Sequence, residues 1–204
     1  MNKRIQNLRN KIKSNKLDAF LITDLTNVRY ITGFSGSNGL AVVTKQNVYL
    51  YTDFRYGEQV RKEVSGCKVF IAKSSLYEEL FLTKTLSKIK TIGFEGLDVP
   101  FTTALKIKKL FSPVKFLPFD NFIEDIAVQK DESEIKATRK AVEISDKVFL
   151  EMLSFIQPGM TELDIAAELS YRMKKHGAES DSFDTIVASG INSSMPHAKY
   201  TFCN

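Results

Sequence analysis

The sequence predicts an α/β fold, in which a mixed β-sheet is flanked by helices, followed by the helical start of a second domain. Three observations predict it. Runs rich in β-forming residues alternate with segments of helical periodicity over residues 1–125. Two of these runs flank a short polar turn, which predicts a hairpin. The pattern changes between residues 119 and 130, and long amphipathic helical patterns follow. We therefore expect two domains, residues 1–125 and residues 126–204.

The first domain begins with an amphipathic helix, because Ile5, Leu8 and Ile12 have helical spacing and the basic residues between them form a solvated face. A short apolar run over residues 17–23 then predicts a buried strand. A loop with three glycines follows over residues 32–39. The later elements alternate, with strands over 40–44, 48–52, 68–72 and 91–95 and helices over 53–64, 77–89 and 102–110.

The second domain is predicted to contain two helices and a strand. Residues 131–134 (DESE) have the pattern of a capping box, and a helix of about six turns follows and ends at residues 158–159. Thr161 is the expected N-cap of a second helix, which Gly177 ends in a left-handed conformation. Residues 182–190 place apolar side chains at alternate positions, which predicts a strand.

Composition excludes several protein classes. Of 204 residues, 43% are hydrophobic and 26% are charged, and 15 Phe and 7 Tyr supply apolar area for a core, so disorder is not expected. No apolar run approaches the roughly 18–20 residues of a membrane span, and the first residues lack the apolar region of a signal peptide. Cys67 and Cys203 are too few for a disulfide framework or a zinc finger. We therefore expect a cytoplasmic protein without a membrane partner.

Charge is distributed unevenly along the chain. The whole sequence has a formal net charge of +5; residues 1–125 have 20 basic and 12 acidic residues, and residues 126–204 have 9 and 12. The basic N-terminal segment has neither interleaved aromatic residues nor a known nucleic-acid-binding motif, so no nucleic-acid partner is expected. The asymmetry suggests two segments with separate surfaces.

Few residues indicate chemistry by themselves. Gly33, Gly36 and Gly39 lack the spacing of phosphate-binding and dinucleotide-binding motifs, which favours a structural turn. His176 lies at the predicted end of a helix, where a surface capping role is expected. His197 lies in a polar loop, where binding residues are over-represented, but loop histidines are often only exposed. Both interpretations of His197 stay open on the residues alone.

Six segments in order resemble the family of aminopeptidase P, prolidase and creatinase. Any one of them is a weak signal, but together they cover nearly the whole chain, and their order makes the resemblance specific. The resemblance implies a creatinase/prolidase-like N-terminal domain followed by the truncated start of an α+β pita-bread domain. The segments are residues 27–37 (NVRYITGFSGS), 52–59 (TDFRYGEQ), 92–96 (IGFEG), 130–135 (KDESEI), 158–162 (PGMTE) and 182–190 (SFDTIVASG).

This resemblance implies an Xaa-Pro peptidase, either an aminopeptidase P or a dipeptidase, that hydrolyses the bond before proline in proline-containing peptides. Proline is a demanding substrate because its tertiary amide has no N–H and its φ is fixed. Family members use two divalent metal ions, manganese, cobalt or zinc, to activate a bridging water and to polarise the carbonyl. His197 matches the site-lining histidine of the family. The implied role is catalytic and substrate-binding, namely to hydrogen-bond the substrate and stabilise the tetrahedral intermediate.

The metal ligands of the family lie beyond His197, and the sequence ends seven residues later at Asn204, so none of them is assigned. We therefore expect that the 204-residue chain alone neither binds the metal pair nor cleaves Xaa-Pro bonds. The predicted strand over residues 184–188 would lack its usual partners and expose an edge. We expect residues 1–125 to form a stable core and residues 126–204 to be marginally stable.

Two functions remain open for this chain. It is either the front portion of an Xaa-Pro peptidase or a non-catalytic module of the same fold that binds peptides or proteins or mediates dimerisation. Family members are often dimeric, which implies a homodimer through the N-terminal domain. The resemblance also makes Phe34 and Asn38 candidates for substrate contacts at the neighbouring subunit's site. The alternative for their loop, a tight structural turn, stays open because of its glycines.

Overall fold

The computed structural model describes residues 3–199 and divides into two compact units between Gln129 and Lys130. We call these the N-terminal unit and the C-terminal unit. The N-terminal unit contains helices α1 (Lys3–Ser14), α2 (Leu25–Thr32), α3 (Gly57–Glu63), α4 (Leu76–Leu82), α5 (Phe101–Leu110) and α6 (Glu124–Ala127), and strands β1 (Ala19–Ile22), β2 (Gly39–Thr44), β3 (Val48–Asp53), β4 (Lys68–Ala72), β5 (Thr91–Glu95) and β6 (Lys115–Phe119). A 3₁₀ turn at Phe54–Tyr56 joins β3 to α3.

The strands form one six-stranded sheet in the order β4-β3-β2-β1-β5-β6. β2 is antiparallel to both of its neighbours, and every other pairing is parallel. The predicted hairpin is therefore confirmed as β2–β3, and the α/β class with a mixed sheet is confirmed as well. The last residues of the five parallel strands lie at one edge of the sheet together with the first residue of β2. We call this the carboxyl edge, and the opposite side the amino edge.

Both faces of the sheet are covered, so β1 is buried at every position. Successive side chains of a strand point to opposite faces. Phe20 and Ile22 accordingly pack in one core, with α1 and α2, while Ala19 and Leu21 pack in the other, with α4 and α5. In the first core the ring of Phe20 stacks on that of Phe122 with centroids 4.2 Å apart. This two-sided burial explains why β1 is a continuous apolar run rather than an alternating one.

The C-terminal unit consists of α7 (Glu132–Phe155), α8 (Glu162–Lys175) and a 3₁₀ turn at Gly190–Ser194. Both predicted caps are confirmed. Asp131 and Thr161 each accept a hydrogen bond from the backbone N–H three residues on, and each forms a reciprocal capping box. The buried stripe of α7 faces α8 and comprises Ile144, Val148 and Met152. No helix within residues 3–199 is long and apolar enough to cross a bilayer.

The prediction of a strand over residues 182–190 is wrong. These residues are extended or bent without a ladder, and the 3₁₀ turn begins at Gly190. A strand needs a neighbour to accept and donate its backbone hydrogen bonds, and the described part of the C-terminal unit contains no other strand. The alternating apolar pattern is therefore present without the pairing that it normally accompanies.

Other elements of the N-terminal unit also differ from the predictions. The helix expected over residues 77–89 ends at Leu82, because the Oγ1 of Thr83 donates to the carbonyl oxygen of Leu80 at 3.1 Å and Lys84 adopts a positive φ of 53°. The eight-residue helix α2 and the strand β6 are absent from the sequence-based prediction. Asp24 caps α2 by accepting from the N–H of Asn27, and Gly33 ends the helix in the left-handed conformation. These two cap residues are the features of the sequence that could have predicted α2.

Candidate functional site

The loop between α2 and β2 lies at the carboxyl edge and contains two predicted site residues. Phe34 is only 1% exposed, and its ring packs edge-on against Tyr56 with centroids 5.6 Å apart. A Cβ at Gly36 would overlap this ring, and one at Gly39 would lie 3.1 Å from its Cε1 atom. The glycines therefore let the loop fold closely over the ring. A contact between Phe34 and a peptide would require the ring to leave the core.

Asn38 is half-buried in a charged cluster with Asp53 and Arg55. Its Nδ2 donates to Oδ2 of Asp53 at 2.5 Å, while Nε and Nη2 of Arg55 donate to the two oxygens of the same carboxylate at 2.9 and 2.8 Å. Arg55 and Asn38 together hold the pKa of Asp53 well below its usual range. The hydroxyl of Thr52 donates to the carbonyl oxygen of Asn38 at 2.7 Å. Backbone and side chain of Asn38 are thus both fixed, which preorganises this part of the edge.

A second polar contact holds the loop against α3. The carboxylate of Glu63 accepts from the backbone N–H of Ser35 at 2.9 Å and from its hydroxyl at 2.8 Å. The backbone donor is the largest cause of the lowered pKa of Glu63. The hydroxyls of Ser37 and Tyr56 lie 2.6 Å apart. The loop is therefore a constrained turn in which Ser35 and Ser37 are exposed and Asn38 is half-buried.

An open cleft of about 440 Å³ lies beside this loop at the carboxyl edge. Its lining is largely polar, with hydroxyl, amide and carboxyl groups from four segments that meet where the strands end. The carboxyl ends of the strands are where open α/β sheets usually bind ligands. The lining includes Thr23, Ser37, Asn38, Ser74, Tyr77 and Asp98.

Glu95, at the end of β5, is a buried carboxylate that sequence reasoning did not single out. It is 5% exposed and accepts from the backbone N–H groups of Thr23 and Asp24 at 2.6 and 2.7 Å and from the amide of Asn27 at 2.8 Å. Burial raises the pKa of Glu95, and these donors oppose that effect. The carboxylate connects the end of β5 to the start of α2. A lone Glu in a sequence gives no signal of such burial.

In the C-terminal unit, His197 lies in an exposed segment next to the buried Ala198. The segment before it is attached to α8 through Glu162, which is 1% exposed. The carboxylate of Glu162 accepts from the backbone N–H of Ser189 at 2.7 Å and from the side-chain amide of Asn192 at 3.1 Å. These bonds connect the first turn of α8 to the 3₁₀ turn that leads to His197. Glu162 was also missed, for the same reason as Glu95.

His176 is the C-cap of α8, as predicted for a surface capping residue. Its Nε2 lies 2.9 Å from Oε1 of Glu151, and Nη1 of Arg172 donates to the other oxygen of that carboxylate at 3.0 Å. His176 is the largest cause of the lowered pKa of Glu151, and Arg172 adds to it. These contacts join α7 to α8, so His176 has a structural role between the two helices.

The donors needed for the metal pair do not come together within residues 3–199. No three His, Cys, Asp or Glu side chains in that range are arranged to hold a metal ion. Asp181, which precedes His197, accepts a hydrogen bond from the hydroxyl of Ser170 at 2.7 Å. The described residues therefore do not fit a dinuclear site, and their chemistry is limited to hydrogen bonding, charge and positioning.

Comparisons with known proteins agree with the order of the two units. A family model described as the creatinase/prolidase N-terminal domain matches residues 4–126, and one described as metallopeptidase family M24 matches residues 136–202. An uncharacterised peptidase of Bacillus subtilis is 38% identical over 95% of this chain, which covers 55% of that relative. An Xaa-Pro dipeptidase of Pyrococcus horikoshii is 33% identical over 97% of this chain and 55% of its own length.

Solved structures show the same likeness. The Xaa-Pro dipeptidase of Bacillus anthracis superposes with a TM-score of 0.89 at 32% identity, over 98% of this chain and 56% of that one. The chain thus spans about half the length of the relatives that it matches. The family model of the N-terminal domain alone covers more than half of this chain. The chain therefore belongs to the creatinase/prolidase family and corresponds to the N-terminal portion of its Xaa-Pro peptidase members.

Proposed function

We propose that this chain forms the N-terminal domain, residues 1–125, and the first part of the peptidase domain, residues 126–204, of an enzyme that hydrolyses the bond before proline. The observation that carries this proposal is that both family models match in the family's order. Relatives named Xaa-Pro dipeptidase and putative Xaa-Pro aminopeptidase cover both segments at 30% identity or more. These names favour a peptidase over a non-catalytic binding module.

In this proposal His197 is the catalytic and substrate-binding residue that the chain contributes. Its imidazole is exposed, so it is accessible to a peptide. Glu162 fixes the 3₁₀ turn five residues before it, which limits the positions that the ring can take. A positioned imidazole donor beside the scissile carbonyl would stabilise the negative charge that develops on the carbonyl oxygen. Glu162 is then a positioning residue.

The loop over residues 34–38 is proposed to contact the proline-containing peptide at the neighbouring subunit's site in a homodimer. Its constrained conformation supports this role, because a fixed loop loses little entropy on binding. Asn38 would contact the peptide while its side chain is held in place by the polar cluster with Asp53 and Arg55. Phe34 would contribute by holding the loop from beneath, since its ring is buried.

The cofactors proposed for the enzyme are two divalent ions, manganese, cobalt or zinc, on ligands other than the described residues. When bound, such ions supply a water-derived nucleophile and polarise the carbonyl. The cytoplasm is the proposed location, because two cysteines and no disulfide framework suit a reducing compartment.

The proposal is tested with the product of the gene as the cell makes it. We expect that product, with added Mn²⁺, to release the residue before proline from an Xaa-Pro dipeptide, and not from the matched dipeptide with Ala in place of Pro. No cleavage by a folded protein with Mn²⁺, Co²⁺ or Zn²⁺ would favour the non-catalytic module. The 204-residue chain alone is expected to be inactive in the same assay.

The two histidines supply a matched pair of variants for the role of His197. In the active gene product, we expect His197→Asn to lower kcat by about 10²–10³ with little change in Tm, which is the effect of removing one donor to a developing oxyanion. His176→Asn is expected to lower Tm through its contact with Glu151 and to leave kcat unchanged. Equal kcat losses in both variants would contradict the assignment.

A further inference from the structure

A second cleft of the N-terminal unit lies at the amino edge of the sheet, on the side away from the loop over residues 34–38. It has a volume of about 720 Å³ and is formed where β5 and β6 begin, at Thr91 and Lys115. That volume lies within the range of about 300–1,000 Å³ that is usual for small-molecule sites. The length of the strands separates this cleft from the loop over residues 34–38 at the carboxyl edge.

The walls of the cleft are apolar and preformed. Leu80, Leu86 and Phe111 line it and are 0%, 3% and 5% exposed, so they are fixed members of the second core. The rings of Phe81 and Phe111 meet at 5.9 Å between centroids, and Phe81 remains 49% exposed at the entrance. A bound apolar group would therefore contact the exposed side chains of Phe81, Leu82 and Pro113, which lie over this fixed layer.

The rim of the cleft is positively charged. Lys84, Lys88, Lys90 and Lys115 line it, and no Asp or Glu does. Within residues 3–199 none of these four ammonium groups forms an ion pair. Asp18 accepts from the backbone N–H of Lys90, but its side-chain ion pair is with Lys45. An apolar interior with an unpaired cationic rim is complementary to a ligand with an apolar body and an anionic head.

We propose that this cleft binds an anionic amphiphile of the long-chain carboxylate class. The alkyl chain lies against the exposed apolar side chains of the lining, Phe81, Leu82 and Pro113, and the carboxylate lies among the rim lysines. Lysine side chains suit this arrangement because their methylene stems extend apolar surface while the ammonium groups remain in water. A site for a small molecule is favoured over a peptide groove because the volume of the cleft lies in the small-molecule range and its rim has one sign of charge.

The test is titration calorimetry of the full 204-residue chain with laurate below its micelle concentration. We expect saturable binding of laurate, binding of dodecanol that is at least about tenfold weaker, and no binding of dodecyltrimethylammonium, because only the carboxylate is complementary to the rim. Equal binding of the three probes would show unspecific adsorption and overturn the proposal. Binding of an acidic amphipathic peptide without binding of laurate would overturn it as well.

Paired charge reversals locate the site. The double variant Lys88→Glu with Lys115→Glu is expected to weaken laurate binding by at least about tenfold. The matched double variant Lys106→Glu with Lys108→Glu changes the net charge equally on exposed residues of α5 outside the lining, and it is expected to bind within about twofold of the unaltered chain. Equal losses in both double variants would overturn the assignment. Ser87→Trp, which fills the cleft from an exposed position, should abolish binding without loss of folding.

Discussion

The two units differ in how completely their elements bury apolar side chains. In the N-terminal unit the sheet is covered on both faces, and two separate cores each contain more than ten buried residues. In the described part of the C-terminal unit the core contains three buried apolar residues, Ile144, Val148 and Met152. Phe149, Leu150 and Leu153 of α7 remain more than 60% exposed. Burial is the main favourable term in folding, so capping boxes and a narrow seam between two helices stabilise the second unit less.

Hydrogen exchange should show the largest difference between the units. We expect amides of β1 and β2 to exchange at least about a hundredfold more slowly than those of α7 and α8, because protection follows the buried contacts of each element. The measurement is exchange of the intact 204-residue chain followed by mass spectrometry of its peptides. Equal protection of both units would show that burial is not the deciding difference.

Phe20→Ala should weaken the N-terminal unit most among single substitutions. Phe20 is fully buried and stacks on Phe122, so its loss leaves a cavity, and we expect the free energy of unfolding to fall by about 3–5 kcal/mol. The control is Phe101→Ala at a side chain that is 77% exposed, where a change below about 0.5 kcal/mol is expected. Urea denaturation of the three proteins compares them, and similar midpoints would contradict the prediction.

Gly36→Ala tests the close packing of the loop over Phe34. The added methyl group overlaps the ring, which must shift in a filled core, so we expect a loss of about 1–3 kcal/mol. Gly57→Ala, at the start of α3, meets no atom within 4 Å and should be neutral or stabilising by up to about 1 kcal/mol. Thermal unfolding of both variants checks this, and an unchanged Tm for Gly36→Ala would show that the loop yields easily.

Thr161→Ala tests the dependence of the C-terminal unit on its caps. It removes the acceptor for the backbone N–H of Asp164, and we expect a loss of about 1 kcal/mol. Thr138→Ala, in an exposed position inside α7, removes a hydroxyl that is not a cap and should be neutral or slightly stabilising. The helical signal of circular dichroism during thermal unfolding separates the two, and equal effects would rule out a special role for the cap.

The smallest expected effect is a pH dependence that Glu95 gives to the N-terminal unit, because its hydrogen bonds offset part of the burial effect on its pKa. Its folded pKa is raised above the ordinary value of 4.5. At a pH between 4.5 and the raised pKa of the folded state, Glu95 keeps a proton in the folded state that it has released in the unfolded state. The free energy of unfolding therefore falls as the pH rises through this interval. Below pH 4.5 this loss is absent.

Glu95→Gln removes that contribution while keeping a group of similar shape. The free energy of unfolding, measured in urea from pH 4 to pH 7, should therefore fall less with rising pH in the variant than in the unaltered chain. The lowered pKa values of Asp53 and Glu63 act in the opposite direction and at lower pH, and both proteins share them. Parallel curves would show that Glu95 does not titrate in this interval.

Sequence patterns predicted the elements whose own residue types indicate whether they are buried. β1 is a continuous apolar run because both of its faces are covered, and the β2–β3 hairpin has a polar turn between two β-rich runs. β6 contains Pro118, which argues against a strand, but an edge strand tolerates proline because one of its sides needs no partner. Pattern alone cannot tell which strand will be at the edge.

Features that depend on distant partners were not predictable. The alternating pattern over residues 182–190 is real, yet a strand also requires a neighbouring strand, which the sequence of the segment does not specify. Glu95 and Glu162 are buried because donors from other segments surround them. Phe34 lies in a motif of the family, but its burial beneath Gly36 is visible only in three dimensions.

The strand order has a consequence for how the N-terminal unit folds. Strands β1 to β4 pair in the order in which they are synthesised, and so do β5 and β6; we call these two sets of strands ribbons. Within a ribbon, paired residues are at most 25 positions apart in the sequence, as Ala19 and Thr44 are. β1 and β5 instead join residues 73 positions apart, as from Ala19 to Ile92. Closing that long loop carries the largest entropic cost before any contact compensates it. Each ribbon is thus expected to form early, and their junction, completed by Glu95 at its end, is the slow step of folding.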